Sequence, residues 1–374
     1  MVNLTIKDLV HDKKKVILVC LGLMTSILLV LFGAGMLNGT VNDSAMVIDR
    51  SSADAWIAQK NRGNLLYGSY LSEELCDNLN DSLDSSLYLE KFIYTGAMFD
   101  FESKTTSGQI CGINISSNLI KPWDIVSGNI NDLNTPLTTI LDVSFKNFLP
   151  GIDINDDILI NGYDVRIIGF CKNAKWFVNP FAWMSLETSQ IINKIGNGTS
   201  FLLIKYNSES EYNIDQLKTD LNDVEGIEIY SSSQISSKTK NYMLYESGAG
   251  TSVGIMVAMG LFVCLIIIFL TMYSSVNEKT AEFGTLKAVG ASKGLLYKML
   301  IGQVGLLMTI SYIFGTILTY IIGFLIADMT SMPIKLNISL IMIFYSISLL
   351  VGIFAVLLAI RKVNKIDPII VFKS

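Results

Sequence analysis

Residues 16–37 read VILVCLGLMTSILLVLFGAGML, a run of 22 positions without a charged side chain. A helix needs about 20 apolar residues to cross the ~30 Å hydrocarbon core of a bilayer, so this run is long enough to span a membrane. It is also longer than the apolar core of a signal peptide, which has about 7–15 residues. We therefore interpret it as an uncleaved membrane anchor.

Three further runs have the same character, at residues 248–273, 299–327 and 336–360. The mean hydropathy of the chain is +0.46 and only 16% of its residues are charged, whereas soluble domains have about 25%. The sequence therefore predicts a membrane protein with four transmembrane α-helices.

The charges divide the chain into two environments. Residues 38–247 contain 15 Lys and Arg against 27 Asp and Glu, and the remainder contains 13 against 6. The basic residues flank the apolar runs: Lys7, Lys13, Lys14, Lys15, Lys279, Lys287, Lys293, Lys298, Arg361, Lys362, Lys365 and Lys373. By the positive-inside rule, both termini and the loop between the second and third runs are predicted to be cytoplasmic. The acidic block is then extracytoplasmic, and its charge argues against nucleic acid as a partner.

These observations predict a multi-pass protein of the plasma or inner membrane, with a large domain inserted between helices 1 and 2. The predicted segments are 1–15 (cytoplasmic), 16–37 (first helix), 38–247 (outer domain), 248–273 (second helix), 274–298 (cytoplasmic loop), 299–327 (third helix), 328–335 (outer loop), 336–360 (fourth helix) and 361–374 (cytoplasmic tail).

The outer domain has mixed α and β patterns, which predict an α+β fold. Helices are expected at 73–83 and 215–224, and strands at 87–101, 109–115, 200–206 and 226–230. Residues 157–171 alternate around Asn161-Gly162, which predicts a hairpin that turns there. A β-rich insertion at about 116–199 is expected to interrupt this layer. From about Gln234 we expect one helix that continues into the second membrane segment.

Several kinds of chemistry are missing from the sequence. No Gly-x-x-x-x-Gly-Lys-Ser/Thr motif is present to bind nucleotide phosphates, and His11 is the single histidine. This excludes histidine-based zinc sites and Ser-His-Asp triads. No Asp, Glu, Lys or Arg lies inside the predicted membrane helices, which argues against an ion-coupled transporter. We predict no catalytic residue, no metal site and no cofactor in this chain.

The predicted cytoplasmic loop contains a distinctive stretch at residues 277–292, NEKTAEFGTLKAVGAS. Glu278 and Glu282 are one helical turn apart, and Phe283, Leu286 and Val289 would form an apolar stripe. In the same stretch Gly290 suits a helix C-terminus, and Ser292 can cap the next helix. A short amphipathic helix of this kind could dock in a cleft of a partner. An ordinary solvated loop is the alternative.

This stretch resembles the coupling segment of MacB/FtsX-type ABC transporter permeases, whose pattern is Glu-Arg/Lys-x-x-Glu-hydrophobic-Gly-x-Leu-Arg/Lys-Ala-hydrophobic-Gly-Ala-Ser. The matching residues are Glu278, Lys279, Glu282, Phe283, Gly284, Leu286, Lys287, Ala288, Gly290, Ala291 and Ser292. Residues 365–369, KIDPI, are similar to the end of that family, and the order of helices and outer domain agrees with it along the whole chain. Residues 49–57, DRSSADAWI, look like the DevC/HrtB-type branch, which includes haem-efflux permeases.

The resemblance implies a permease subunit that is not an enzyme by itself. Its partners would be two copies of a cytoplasmic ABC ATPase, which bind ATP and Mg, and a second copy of this chain. A periplasmic or extracellular adaptor protein is a further implied partner. The residues that would couple to the ATPase are Glu278, Lys279, Glu282, Phe283, Gly284, Leu286, Lys287 and Gly290.

Small residues recur every four positions in two of the membrane helices. They are Ser311, Gly315, Thr319, Gly323 and Ala327 in the third, and Gly250, Gly254 and Ala258 in the second. Such stripes allow helices to approach closely. They predict either contacts in a homodimer or packing among the four helices of one chain.

A substrate could be bound at the outer ends of the first two membrane helices. The candidate residues there are Met36, Met46, Tyr242, Met243, Tyr245 and Glu246. With no histidine outside, a haem would need Tyr, Met, Cys or carboxylate ligands. The alternative is that the aromatic residues are interfacial anchors and the methionines fill gaps.

The sequence thus favours the permease subunit of an ABC-type exporter of an amphipathic substrate, with haem, a lipid, a lipoprotein and a peptide all open. An FtsX-like mechanotransmitter, which controls an extracytoplasmic protein without moving a substrate, is the main alternative. A membrane-anchored adhesion or receptor module would explain the outer domain but not residues 277–292.

Overall fold

The computed structural model describes residues 13–83, 87–206, 213–222, 224–280, 282, 284–285, 292–330, 332 and 334–363. It divides into two compact units. The membrane unit takes its described residues from 1–38, 250–326 and 334–374, and the sheet domain takes them from 39–249 and 327–333.

The secondary structure alternates between the two units along the chain. The helices are α1 (Lys13–Ser44), α2 (Met46–Asp49), α3 (Glu73–Ser82), α4 (Phe145–Phe148), α5 (Leu186–Asn193), α6 (Ile214–Asp220), α7 (Ser232–Asn241), α8 (Ala249–Glu278), α9 (Lys293–Thr330) and α10 (Ile338–Val363). The strands are β1 (Ala55–Gln59), β2 (Tyr88–Phe101), β3 (Lys104–Ile113), β4 (Ile125–Ser127), β5 (Thr138–Asp142), β6 (Asp157–Ile160), β7 (Tyr163–Cys171), β8 (Lys175–Trp176), β9 (Asn179–Ser185), β10 (Phe201–Lys205) and β11 (Ile227–Ser231). Short 3₁₀ turns occur at Leu65–Tyr67 and Ile130–Asn134, and a π-helical turn occurs at Tyr242–Glu246.

Four helices in the described part of the chain are long and apolar enough to cross a membrane, namely α1, α8, α9 and α10. This confirms the four membrane segments expected from the sequence. Their shared core contains Leu23 and Ile27 of α1, Ile268 of α8, and Ala355 of α10, all at most 2% exposed. The Tyr312 hydroxyl of α9 donates to a backbone carbonyl of α10 at 2.6 Å, so a polar group in the core is satisfied inside the unit.

The sheet domain is a single 11-stranded mixed sheet with the order β11-β1-β10-β2-β3-β9-β5-β7-β4. Strand β6 pairs with both β2 and β7. The pairings from β2 through β3, β9, β5, β7 and β6 therefore return to β2, so these six strands form a closed ring. Closure removes exposed edges from this part of the sheet.

The long strand β2 joins the two parts of the sheet. Its first five residues pair with β10, and the nine residues from Ile93 to Phe101 pair with β3. The insertion at 116–199 supplies β4 to β9, which confirms that it is rich in β-structure. It is not a separate layer, because β9 adds in parallel to β3 and β6 pairs with the far end of β2.

The predicted hairpin is present, with β6 and β7 antiparallel and Ile160 opposite Tyr163. Both turn residues have positive φ, 46° at Asn161 and 88° at Gly162. This is the backbone conformation for which Asn-Gly is favoured in two-residue hairpin turns. The local sequence was sufficient to predict this element.

The expectation of one helix from about Gln234 into the second membrane segment is wrong. Helix α7 ends at Asn241, the π-helical turn follows, and Gly248 has a φ of 80° before α8 begins. A residue with positive φ cannot continue a right-handed helix, and glycine adopts this conformation at little cost. The helical conformation of the chain is therefore interrupted at Gly248, just before α8.

Candidate functional site

The loop between α8 and α9 begins at an ion pair within the membrane unit. Lys15 Nζ lies 2.9 and 2.7 Å from the two carboxylate oxygens of Glu278, the last residue of α8. The Ser274 hydroxyl, one turn earlier, donates to the same carboxylate at 2.7 Å. Glu278 therefore connects the end of α8 to the first turn of α1, in addition to the coupling role that we predicted for it.

The loop that follows is helical at four of the positions that the structure describes. Thr280, Glu282, Gly284 and Thr285 all have helical backbone, and the Thr285 hydroxyl donates to the Glu282 carbonyl at 2.8 Å. Gly284 is buried, Glu282 is exposed and Lys279 is half-buried. The amphipathic pattern of this loop stays a prediction. The remaining predicted coupling residues, Phe283, Leu286, Lys287 and Gly290, lie outside the described residues, as does Val289 of the predicted stripe.

Ser292 starts the third membrane helix as the sequence predicted. Its hydroxyl accepts a hydrogen bond from the Leu295 backbone N–H at 3.3 Å. This is the geometry of an N-cap, in which a side-chain oxygen satisfies a free N–H in the first turn. The cap fixes where α9 begins and so where the loop ends.

The small residues of α9 pack inside the chain. A Cβ built on Gly315 would lie 2.9 Å from Ile27 of α1, which is too close for a side chain there. Ser311 and Thr319 are buried on the same face. At Gly323 the nearest atom would be 3.4 Å away, on Ile334, so this end of the stripe is looser. Gly315 therefore lies at a contact between α9 and α1 of one chain.

The small residues of α8 differ from those of α9. Gly254 and Ala258 are exposed, and a Cβ at Gly254 would have no atom of the chain within 4 Å. Gly250 is half-buried. In the same helix it is Gly260 that packs closely, since its Cβ would lie 2.7 Å from Val30 of α1. In the described part of the chain, Gly254 and Ala258 are therefore uncovered, whereas Gly250 is partly covered.

The six candidate substrate residues are divided between the two units. Met36 belongs to the membrane unit and the other five belong to the sheet domain, where Tyr245 is 72% exposed and Met46 is half-buried. Tyr242, Met243 and Glu246 lie on the π-helical turn. Among the described residues, no three His, Cys, Asp or Glu side chains are grouped so that they could hold a metal ion.

Tyr242 and Glu246 line a polar hollow of about 380 Å³ in the sheet domain. The Tyr242 ring lies 4.6 Å from that of Tyr67, whose hydroxyl donates to Glu246 at 3.3 Å. Partial burial and the Glu246 carboxylate raise the pKa of Tyr67, so its hydroxyl stays protonated at neutral pH. On the opposite side Lys238 lies over the Tyr230 ring at 4.3 Å. The hollow combines charge of both signs with aromatic faces.

A second, apolar cavity of about 250 Å³ shares Tyr242 and adds Met243. Its other wall consists of residues that the sequence analysis did not select, among them Tyr94, Gln109 and Trp176. These residues are far apart in sequence and lie on strands that pair only in the folded domain. Their alternation within strands was a visible signal for burial, but it gave no indication of a cavity.

Residues 49–57, which we compared with the DevC/HrtB-type branch, join the elements of the sheet domain. Asp49 accepts hydrogen bonds from Ser236 at 2.6 Å and Lys240 at 2.7 Å, which are one turn apart on α7. Trp56 is fully buried, and its indole N–H donates to Ser232 at 3.1 Å at the start of α7. This segment therefore holds α7, the helix that leads to α8, in place.

Comparison with known proteins finds similarity to permeases. Residues 254–368 match the model of the FtsX-like permease C-terminal family. The chain is 23% identical over 373 residues to the "Putative hemin transport system permease protein HrtB" of Staphylococcus epidermidis, with 98% of each chain covered. It is 23% identical over 269 residues to the "ABC transporter permease YtrF" of Bacillus subtilis, with 67% of this chain and 59% of the relative covered.

Two solved structures are similar to part of the chain at a low level. One is the periplasmic region of MacB from Actinobacillus actinomycetemcomitans, with a TM-score of 0.38, 14% identity, and coverage of 51% of this chain and 94% of that one. The other is the extracellular domain of the ABC-type transporter YknZ from Gram-positive bacteria, with a TM-score of 0.34, 16% identity, and coverage of 48% and 100%.

Proposed function

We propose that the chain, which is similar to FtsX-like and ABC transporter permeases, transmits the ATP-driven movement of a separate ATPase to an extracytoplasmic sheet domain in order to export an amphipathic substrate. In this proposal the chain itself has no catalytic activity. Two ATPase copies bind ATP and Mg, and two copies of the chain form the membrane part.

The observation that carries this proposal is the loop between α8 and α9. It begins at the Lys15–Glu278 pair, which ties two membrane helices together, and ends at the Ser292 cap of a third. A force applied by a partner to Glu282 and its neighbours would therefore act on α1, α8 and α9 together. The sequence predicts an amphipathic helix in this loop, and such a helix with its ends fixed in this way is suited to docking in a partner.

The outer end of the same pathway is formed by α7. Asp49 and Trp56 fix α7 to the rest of the sheet domain, and the chain then passes through the π-helical turn and Gly248 into α8. A positive-φ glycine allows a change of direction at one residue while the elements on either side stay rigid. We infer that movement of α8 is passed to the sheet domain through this segment.

The substrate in our proposal is amphipathic, because no Asp, Glu, Lys or Arg lies inside the predicted membrane segments to line a polar path. Haem is one candidate, because relatives that align over almost the whole chain are named as hemin transport permeases. The sheet domain has no histidine, so tyrosine, methionine, cysteine or carboxylate side chains would have to contact the iron.

The test compares host cells that lack the gene with cells that carry it, together with ATP turnover of the purified complex. We expect the deletion strain to become more sensitive to haem or to another amphipathic compound, and the intact gene to restore tolerance. The purified chain should hydrolyse no ATP by itself and should increase turnover when its ATPase is added. Unchanged tolerance to every compound tested, with normal turnover in the complex, would argue against export.

The uncharged membrane segments also fit a second function, in which the chain moves its helices without passing a solute. As a mechanotransmitter it would control an extracytoplasmic protein such as a hydrolase. Loss of the gene would then abolish that protein's activity while leaving tolerance to amphipathic compounds unchanged. The same deletion strain thus distinguishes the two functions.

A further inference from the structure

The apolar cavity of about 250 Å³ lies entirely within the sheet domain. Two of its walls are the 3₁₀ turn at Leu65–Tyr67 and the π-helical turn at Tyr242–Glu246, and the third comes from β2, β3 and β8. None of the described residues that line it is charged. Its apolar lining includes the side chains of Leu65, Leu66 and Met243.

Three polar atoms on residues that line this cavity are buried and have no hydrogen-bond partner in the domain. They are the Tyr94 hydroxyl oxygen, the Gln109 side-chain carbonyl oxygen and the Trp176 indole nitrogen. Tyr94 is only 2% exposed. Buried polar groups in folded proteins almost always have a partner, so three such atoms around one cavity require an explanation.

The sheet itself brings these groups together. Gly96 is opposite Gln109, and Tyr94 is opposite Cys111, in the antiparallel β2–β3 pair. Residues that face each other across a pair, and those two positions along a strand, point to the same side of the sheet. Tyr94, Gly96 and Gln109 therefore share one face. A Cβ on Gly96 would lie 3.9 Å from the Gln109 side-chain nitrogen, so Gly96 leaves open space beside that amide.

The hydrogen-bonding roles of the three groups, as donors or acceptors, define which ligand could pair with them. Burial raises the pKa of Tyr94 well above its usual value, so its hydroxyl remains protonated and can donate. The Trp176 N–H is a donor only, and the Gln109 carbonyl oxygen is an acceptor. A secondary or primary amide presents a carbonyl acceptor and an N–H donor close together, and it is neutral.

We propose that this cavity is a binding site for an uncharged, amide-bearing molecule with an apolar side group. Small side-chain shifts would bring these three buried atoms to the cavity surface. The amide would then accept from Tyr94 and Trp176 and donate to Gln109, while the apolar group lies against Leu65, Leu66 and Met243. An anion would lose the free energy of its hydration on entering the cavity. No lining residue of the described chain carries a positive charge that would compensate for this loss, so the proposed ligand is not an anion.

The residues that line the site are followed in the chain by the membrane helix α8. Tyr242, Met243 and Ser247 line it, and the chain enters α8 two residues after Ser247. π-Helical turns are rare in proteins overall, and those that occur are often found at functional sites. An occupied cavity would therefore hold the segment that precedes α8. This inference does not depend on the proposed function, because binding at equilibrium requires neither ATP nor the ATPase.

The experiment uses the full chain in lipid nanodiscs and measures binding by saturation-transfer NMR titration, with empty nanodiscs as background. The probe is N-acetyl-L-phenylalaninamide, and N-acetyl-L-phenylalanine, which is an anion at pH 7, is the matched control. We expect saturable binding of the amide and at least about ten-fold weaker binding of the acid.

Variants then test two of the polar groups and the open space at Gly96. Tyr94→Phe removes one donor and keeps the ring, and Trp176→Phe removes the indole N–H together with part of the ring system. Each should weaken binding of the amide about five-fold. Gly96→Val fills the open space with a side chain, and valine is a residue that β-strands favour. This variant should abolish binding. Trp123→Phe and Tyr230→Phe are the controls outside the cavity, and they should leave the dissociation constant unchanged.

Thermal unfolding of the same variants gives an independent result. Tyr94→Phe removes a polar atom that has no partner in the free protein and keeps the ring, so its melting temperature should be equal to or higher than that of the wild type. A gain or no change in stability combined with weaker binding is the behaviour of a ligand site. Absence of saturable binding, equal binding of amide and acid, or unchanged affinity in all three cavity variants would overturn the proposal.

Discussion

Lys15 Nζ lies 2.7 Å from a carboxylate oxygen of Glu278, so the first turn of α1 is bonded to the last residue of α8. Both side chains are partly exposed, at 31% and 52%. A pair of this kind contributes at most about 1 kcal/mol to stability. We therefore assign it a role in positioning the loop that follows rather than in holding the fold together.

The first prediction concerns this pair. Glu278→Lys and Lys15→Glu should each reduce stimulation of the ATPase, because each places two like charges at the contact. The exchanged double variant should regain a substantial part of the stimulation, since the attraction is restored with reversed sign. ATP turnover in the reconstituted complex is the measurement, analysed as a double-mutant cycle. Additive losses in the double variant would contradict an interaction between the two residues.

The second prediction compares glycines of α8 and α9. Gly315→Leu should destabilise the detergent-solubilised monomer by about 1–3 kcal/mol, because the new side chain would overlap Ile27. Gly323→Leu should cost less, since its neighbour Ile334 is farther away. Gly254→Leu should leave monomer stability unchanged and instead reduce the dimer fraction, if α8 is the surface that meets a second copy. Thermal unfolding and light scattering measure the two effects separately. Equal destabilisation by all three variants would contradict this assignment.

The third prediction concerns the attachment of α7. Ser232→Ala removes the acceptor of the buried Trp56 N–H and should cost about 1–3 kcal/mol in the stability of the sheet domain. Ser237→Ala, at an exposed position on the same helix, is the matched control and should have almost no effect. Denaturant unfolding followed by tryptophan fluorescence measures both. Similar stability of the two variants would show that the Trp56 contact is not needed.

The fourth prediction tests topology. Lys104 is exposed at the start of β3, and the native cysteines of the sheet domain are all buried. Lys104→Cys should therefore react with a membrane-impermeant maleimide in intact cells, with little background from the wild type. Ser292→Cys, which is exposed at the start of α9, should react only after the cells are permeabilised. The reverse pattern would place the sheet domain in the cytoplasm.

The sequence was sufficient for features that depend on local patterns. The four apolar helices follow from length and composition, the β6–β7 hairpin from Asn161-Gly162, and the α9 cap from Ser292. Each of these depends on residues that are close together in the chain. That is why each could be predicted before the fold was known.

Other features depend on contacts between distant residues. The ring closes where Phe99 pairs with Ile160, and the cavity forms where Gln109 and Trp176 approach the turn at Tyr242. No pattern in one segment encodes such pairings. The break at Gly248 is an intermediate case, because the glycine was visible but lay next to an apolar run that suggested a continuous helix. Tertiary structure decided its conformation.

The most direct test of the central claim is binding and activation of the ATPase by a variant of the loop between α8 and α9. Glu282 is exposed there, and Glu282→Lys should repel the basic residues that a docking cleft would present to it. Phe283→Ala and Leu286→Ala should act more strongly, because truncating buried apolar anchors often costs ~2 kcal/mol or more at an interface. Glu74→Lys, at an exposed site of the sheet domain, is the matched control for charge.

Each variant is purified with the ATPase, and the amount of bound ATPase and the ATP turnover of the complex are measured. We predict normal values for Glu74→Lys, reduced binding for Glu282→Lys, and near-complete loss of binding and stimulation for Phe283→Ala combined with Leu286→Ala. Full co-purification and normal turnover of Glu282→Lys and of the double alanine variant would contradict the assignment of this loop as the coupling element.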